Sequence, residues 1–339
     1  MNLKGKRIFV GLSGGVDSAV TAALLKERGA DVIGVFIKGW YPPGMLCTWA
    51  EDRRDAMRVA ARLQIPFITL DASKEYKQGV IDYLLAEYKA GRTPNPDIMC
   101  NREVKFGAFY RFAKEKGADY IATGHYARVE DGKLLRGTDE AKDQSYFLWA
   151  VPEEALAMTL MPLGGMKKDG TRTLAKRFKL PNARKKDSQG ICFLGSISVE
   201  DFLRQELGEQ EPGIARDTES NVLGKHDGAL FHTLGSRIAI EGASQGPWYV
   251  VRKDIEKNEL VVSKDRVSPP DRIKLSQLNW FGEAEGLVEA QFRYHGPVIK
   301  GTLSGNAFVP EGPLPEPVAA GQSLVIYRND RVIGGGIIG

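Results

Sequence analysis

The hexapeptide Ser13-Gly14-Gly15-Val16-Asp17-Ser18 lies between the apolar run Ile8-Phe9-Val10 and a helix-like stretch from Ala19 to Arg28, and its residue types suit pyrophosphate binding. Adjacent glycines let backbone N–H groups converge on phosphate oxygens, and a following helix adds the positive end of its dipole. Ser13 and Ser18 can donate hydroxyl hydrogen bonds, while Asp17 can order the loop or hold Mg²⁺. The Gly-Lys-Ser/Thr ending of a Walker A loop is absent, so a lysine grip on the terminal phosphates is not supported. Cleavage between the α and β phosphates is the better expectation. The structural alternative is a plain strand-to-helix turn with an N-cap serine.

Three cysteines, Cys47, Cys100 and Cys192, are too few for a secreted disulfide framework and lack Cys-x-x-Cys zinc spacing, and no resident metal site is expected. Cys100 follows Arg92-Thr93-Pro94-Asn95-Pro96-Asp97-Ile98-Met99. The prolines discourage helix at Thr93 and Asn95, which makes Asn95-Pro96-Asp97 an expected extended or turned presentation loop. A cysteine near the start of the following helix and beside Arg102 is placed to favour thiolate. Cys192 lies in Ser188-Gln189-Gly190-Ile191-Cys192-Phe193, after Arg184, Lys185 and Lys186, whose field would favour a thiolate or persulfide anion. A single cysteine is more often a small buried apolar residue. Two in turn-rich polar segments of one nucleotide-binding chain favour function, whereas Cys47, in Leu46-Cys47-Thr48-Trp49, has no such setting.

These groups need a scaffold. Strand-like runs at Ile8–Leu12, Val32–Ile37, Phe67–Leu70 and Tyr120–Thr123 alternate with helical patterns, the later ones from Asp52 to Leu63 and from Val104 to Lys116. Such alternation implies βαβ units and a parallel sheet, hence an α/β fold with its ligand beyond the carboxyl ends of the strands. That rule gathers three segments: the loop from Gly11 to Ser18, Phe36-Ile37-Lys38, and Thr123-Gly124-His125-Tyr126. Beyond Phe193 a short helix, Val199 to Leu207, gives way to Gly-rich turns and short β-branched runs. A linker is expected at Val267-Ser268-Pro269-Pro270-Asp271, and the remainder reads as short strands of a small barrel or sandwich.

The length of 339 residues suits two or three domains. No apolar stretch reaches membrane-spanning length and the N-terminus runs straight into the first strand, so a soluble, cytoplasmic protein with no membrane partner is expected. The net charge is +4, unevenly spread: from Lys167 to Lys186 there are nine basic residues against one acid, Asp169. Such a run suits a polyphosphate backbone, although a solvated helical face would look the same.

Ser13–Ser18, the segment Lys89-Ala90-Gly91-Arg92 through Asn101, Ala122-Thr123-Gly124-His125-Tyr126, Lys142-Asp143-Gln144-Ser145-Tyr146-Phe147-Leu148 and Ser188–Phe193 occur together in this order. In this the chain closely resembles the bacterial tRNA-specific 2-thiouridylase family, also called MnmA, over essentially its whole length. The resemblance implies a parallel-sheet PP-loop (adenine nucleotide alpha hydrolase-like) domain over residues 1–198. It also implies a small mainly-β central domain over 199–268 and a tRNA-contacting C-terminal β-barrel over 269–339. The implied reaction is ATP-dependent transfer of sulfur to C2 of the wobble uridine of tRNA, with Mg²⁺ accompanying ATP. By likeness Gly11, Leu12, Ser13, Gly14, Gly15, Val16, Asp17, Ser18, Ile37 and Gly124 would bind ATP. Asn95, Pro96 and Asp97 would surround the base, with Asp97 a plausible acid/base, Cys100 the nucleophile and Cys192 the persulfide carrier. His125, Lys142, Asp143 and Gln144 match tRNA-contacting positions, as do Arg293, Tyr294 and Gln322 more loosely. Ile37 stands where the family often has methionine. A sulfur-donor protein, a cysteine desulfurase or a sulfur relay, is implied as partner.

The implied chemistry is coherent. Adenylating the C2 oxygen turns a poor leaving group into AMP, with pyrophosphate as the other product. A Cys192 persulfide can attack C2, or sulfide can be freed when Cys100 attacks the persulfide; either route leaves the pair able to form a disulfide. A disulfide needs Cα atoms within about 7 Å, so the Cys192 segment is expected to close over the site, and the base must leave its stack. Two rivals remain open: a ligase that adenylates a carboxylate for amine attack, and a non-catalytic nucleotide-regulated RNA-binding protein.

Overall fold

Four of the expected strands form one parallel sheet in the computed structural model, which describes residues 1–42, 49–186, 197–243, 246–265 and 270–339. They are β1 (Arg7–Gly11), β2 (Asp31–Lys38), β3 (Phe67–Asp71) and β4 (Tyr120–Ala122), in the order β3-β2-β1-β4, with Thr159–Leu160 parallel to β4 at the edge. Their near-continuous apolar character has a physical cause, because both faces are covered. Ile8, Val10, Val32, Phe36 and Ala122 pack with helices α1 (Val16–Glu27) and α2 (Trp49–Leu63). Phe9, Ile33, Val35 and Ile121 face the opposite core with Ile98, Phe106 and Phe109. The chain runs outward from β1 to β3, then returns on the other side of β1 to β4. The gap between β1 and β4 is thus a topological switch point, where a crevice opens.

Two helical runs cover that second face. The first, α3, spans 73–89 and was not expected; the second, α4, spans 96–115. Each contains a π-helical stretch, Lys77–Asp82 and Cys100–Ala108. They meet closely where Gly79 faces Glu103: a Cβ on Gly79 would lie 2.6 Å from Glu103 Cγ. The expected helix from Val104 begins earlier, at Pro96, and the expected loop at Asn95-Pro96-Asp97 is therefore corrected. Asn95 is extended (φ −108°, ψ 103°), as a residue before proline should be, but its side-chain oxygen caps the helix by accepting from the N–H of Asp97 (3.1 Å) and Ile98 (3.4 Å). Pro96 takes the first helical position, where its missing N–H costs nothing.

The second half is β-rich. Gly213–Arg216, Val222–His226, Arg237–Ile238, Trp248–Asp254 and Glu259–Ser263 make a five-stranded sheet. From Ile273 to Ile338 six strands close into a barrel, since Ile273–Trp280 pairs with both Ala307–Pro310 and Arg331–Ile338. An early hairpin, Ala127–Glu130 with Lys133–Arg136, joins this sheet through Arg331 opposite Leu135. The barrel also packs on the first half at Gly335, where a Cβ would lie 3.0 Å from Trp149 Cδ2. Asn279 Nδ2 donates to the Trp149 carbonyl at 2.7 Å beside that contact. In the expected linker, Val267, Ser268 and Pro269 lie outside the described residues.

Candidate active site

A cleft of about 670 Å³ opens beyond the carboxyl ends of β1, β2 and β4. It is lined by residues of Gly11–Ser18, by Val35, Phe36 and Ile37, and by Thr123, Gly124, His125 and Tyr126, the three segments that the sheet rule gathers. The loop is knitted from within. Ser13 Oγ accepts from the Gly15 N–H (3.3 Å) and lies 3.2 Å from Ser18 Oγ, which accepts from the Ser13 N–H (3.2 Å) and donates to the Gly15 carbonyl (3.1 Å). Both hydroxyls therefore shape the loop. The N-cap of α1 is Gly15 with no capping side chain, so the N-cap serine alternative does not hold.

Glycine is required at two places. Gly14 has φ +81°, and a Cβ there would strike the Asp52 carbonyl. At Gly124 a Cβ would lie 2.8 Å from the Ser18 nitrogen, so the loop after β4 can seat against the start of α1 only without a side chain. Asn182 Nδ2 donates to the Gly14 carbonyl at 2.9 Å. Asp17 is held by Lys168 Nζ, 2.8 Å from each carboxylate oxygen, and by the Tyr126 hydroxyl at 2.9 Å. Of the two roles open to Asp17, these partners fill that of ordering the loop. With the Ser13 and Gly15 N–H groups tied within the loop, the amino end of α1 and the apolar Val35, Phe36 and Ile37 beside it are what suit a nucleotide.

Asp97 and Cys100 stand on the same cleft, with Cys100 only 3% exposed. Winding bonded i→i+5 puts residues four and five apart on one face. Val104 and Lys105 accordingly line the cleft with Cys100. Arg102, expected to favour the thiolate, pairs with Glu103 at 2.6 Å and is not among the lining residues. Lys105 takes the place facing the cleft, a position that α-helical spacing would not suggest. His125 is buried, with Nδ1 2.8 Å from Thr123 Oγ1. Burial first, then the charge of Lys105, holds its pKa well below the ordinary 6.5, so the imidazole is neutral near pH 7.

The residues matched to tRNA contact divide. Lys142, Gln144 and Tyr294 line the cleft, the Tyr294 ring standing 4.5 Å from that of Phe147. Asp143 is buried and turned inward, accepting from the N–H groups of Gly137 (2.8 Å) and Ser145 (3.0 Å) and from Ser145 Oγ (2.9 Å). Arg293 pairs with Glu316 at 2.7 Å, and Gln322 Nε2 donates to the Thr93 carbonyl at 2.6 Å; neither lines the cleft. Asn95 serves as the cap and Pro96 is buried. Cys192, with all of 187–196, and Cys47 lie outside the described residues.

The basic run is partly internal. Lys168 holds Asp17, Arg177 pairs with Glu27 (2.7 Å), and Arg172 donates to the Lys185 carbonyl (2.6 Å). Lys185 sits 2.8 Å from both Asp52 and Asp55; burial opposes its charge, but the two carboxylates outweigh it and raise its pKa. Lys167, Lys176, Lys179, Arg184 and Lys186 remain exposed. Sequence reasoning missed Lys105, and it quoted Tyr126 and Lys168 without seeing that they grip Asp17. No helix among the described residues is long and apolar enough to cross a membrane.

Comparison with known proteins covers nearly all of the chain. Family models match in three blocks: the tRNA methyl transferase HUP domain over residues 6–196, the tRNA methyl transferase PRC-barrel domain over 200–264, and the aminomethyltransferase beta-barrel domain over 270–338. The relative named tRNA-specific 2-thiouridylase MnmA from Bacillus licheniformis is 44% identical, covering 98% of this chain and 94% of that protein. Those of the same name from Shouchella clausii and Bacillus subtilis are 42% and 43% identical, each over 98% of this chain, and over 96% and 94% of their own length.

Proposed function

The chain belongs to the tRNA-specific 2-thiouridylase family, and on that premise we propose that its cleft adenylates and then thiolates the wobble uridine of tRNA. The protein is a tRNA-uridine 2-sulfurtransferase. The observation that carries the detailed reading is that Cys100 stands on the wall of the same cleft as the Gly11–Ser18 loop. A ligase using an amine would need no thiol there. Nor would methyl transfer, the reaction in the family-model descriptions, call for a thiol beside a phosphate loop.

ATP is the co-substrate, and it supplies AMP as the leaving group on the C2 oxygen. The loop amides and the amino end of α1 would hold its phosphates, Ile37 the adenine, and Mg²⁺ would enter with the nucleotide. Gly124 permits the close approach of the Thr123–Tyr126 segment. Asp97 lines the cleft with Cys100, which supports its reading as the acid/base that would meet an everted uridine. Neutral His125, with Nδ1 engaged by the Thr123 hydroxyl, has Nε2 left for a base edge, and an uncharged ring suits a base better than a phosphate. Lys142, Gln144 and Tyr294 are the tRNA-facing rim, and the exposed part of the basic run supplies phosphate contacts.

Sulfur arrives as a persulfide on Cys192 from a cysteine desulfurase or a relay protein. As its terminal sulfur bonds to C2, AMP departs with the original oxygen; the Cys100 thiolate then attacks Cys192 Sγ and breaks its bond to the terminal sulfur, which stays on the base with the electron pair while the two cysteines form a disulfide. We assign three domains, 1–198, 199–268 and 269–339, and place the reaction in the cytoplasm. The test is product analysis with ATP labelled in the α phosphate. Formation of AMP that depends on tRNA is expected; tRNA-dependent ADP would overturn the reading.

A further inference from the structure

The segment that delivers Asp97 and Cys100 starts from a joint between three parts of the molecule, centred on Thr93. Its N–H donates to the Ala320 carbonyl at 2.9 Å, and its carbonyl accepts from Gln322 Nε2 at 2.6 Å. Its hydroxyl lies 3.2 Å from that of Thr233 in the central β region. On the preceding side Arg92 is locked to Glu87 by two 2.6 Å bonds, at the end of α3. The loop that meets Thr93 is itself fixed to the last barrel strand, because Gly321 N–H donates to the Ile338 carbonyl and Ile338 N–H to the Gln322 carbonyl, each at 2.8 Å. Gly321 has φ +89°, and a Cβ there would lie 2.8 Å from the Thr93 nitrogen. A side chain at that position would part the two pieces.

Beyond Thr93 the chain is stiff. Pro94 and Pro96 fix φ, the Asn95 side chain caps the helix, and Asp97 comes in the first turn with Cys100 one turn later. A shift at Thr93 is therefore passed to both reacting side chains rather than absorbed, and a misplacement of about 1 Å can cost about a hundredfold in rate.

We propose that Gln322 is a positioning residue for the Asp97–Cys100 segment, acting through the Thr93 carbonyl. The barrel thereby sets the register of the nucleophile as well as helping to bind the substrate. This role rests on the thiolation reading of the cleft.

The experiment measures single-turnover thiolation and tRNA binding for wild type and Gln322→Ala, with Gln322→Met, which keeps the chain length but cannot donate, as the deciding variant should alanine unfold the protein. The expected result is a fall of about tenfold or more in the single-turnover rate at saturating tRNA. An unchanged rate at saturating tRNA, whether or not the tRNA Kd rises, would mean that the bond to Thr93 does not position the segment, and overturns the proposal. Thr233→Val, which cuts the second tie to Thr93, should lower the same rate. Wild type that makes no 2-thiouridine would instead overturn the thiolation reading itself.

Discussion

Lys168 Nζ lies 2.8 Å from both carboxylate oxygens of Asp17, across 151 positions of chain, and both groups stand at the mouth of the phosphate loop. The pair turns a carboxylate that would repel phosphate into a neutralised strut. Tyr126, which donates to Asp17 and lies 3.0 Å from Thr171 Oγ1, joins the loop, the segment after β4 and the basic helix Lys168–Arg177 into one network.

Removing the lysine leaves the carboxylate facing the nucleotide. Lys168→Ala should raise the KM for ATP about tenfold, equivalent to about 1.4 kcal/mol. Adding Asp17→Asn should recover much of that loss, since the repelling charge goes and a Tyr126 partner is kept. A double variant worse than the single one would show that Asp17 has a direct role toward the nucleotide or its metal.

Gly124→Ala tests the closeness of the two segments. The added Cβ would meet the Ser18 nitrogen at 2.8 Å and the Asp17 carbonyl carbon at 2.9 Å, both backbone atoms that cannot swing away. Thermal unfolding should show a loss of about 1–3 kcal/mol, and ATP binding should weaken with it. Unchanged ATP affinity would mean that the segment after β4 does not shape the nucleotide site.

Cys100→Ser changes one atom at a residue only 3% exposed. Sulfur transfer should fall at least about a hundredfold, because a serine hydroxyl is neither ionised near pH 7 nor able to accept the Cys192 sulfur. Substrate-dependent AMP formation should persist, since adenylation precedes the thiol step. Quantifying both products from one reaction separates the two steps.

His125 gives a pH dependence with a defined sign. Its folded pKa is held well below 6.5, chiefly by burial. Between that value and 6.5 the unfolded chain binds a proton that the folded chain refuses. Stability from this group is therefore fully present above pH 6.5 and is lost as pH falls, at no more than about 1.4 kcal/mol per pH unit. Urea unfolding at pH 7.5 and 5.5 should show a smaller acid-side loss for His125→Gln than for wild type.

How much of this was legible in the sequence differs by segment. The loop and the four strands could be read, because strand burial on both faces leaves unbroken apolar runs and Gly14-Gly15 mark the turn between β1 and α1. Helix α3 could not be read, since Gly79 interrupts its pattern and only its contact with Glu103 explains the glycine. Lys105 was hidden by the π-helical winding after Cys100, which changes the face that each residue occupies. Arg102 pairs with the adjacent Glu103, Asp143 accepts from Gly137 and Ser145, and Gln322 donates to the Thr93 carbonyl; spacing alone does not reveal such internal partners. The basic run read as a single phosphate-binding strip, whereas Lys168, Arg172, Arg177 and Lys185 serve the protein's own carboxylates and carbonyls.

The most decisive assay is nucleoside mass spectrometry of unmodified tRNA incubated with this protein, ATP, Mg²⁺ and a persulfide-generating cysteine desulfurase system. 2-Thiouridine should form in amounts that depend on ATP and vanish with Cys100→Ser. Its absence from wild-type reactions, under conditions in which a Bacillus subtilis relative thiolates the same tRNA, would refute the assignment of this cleft to uridine thiolation.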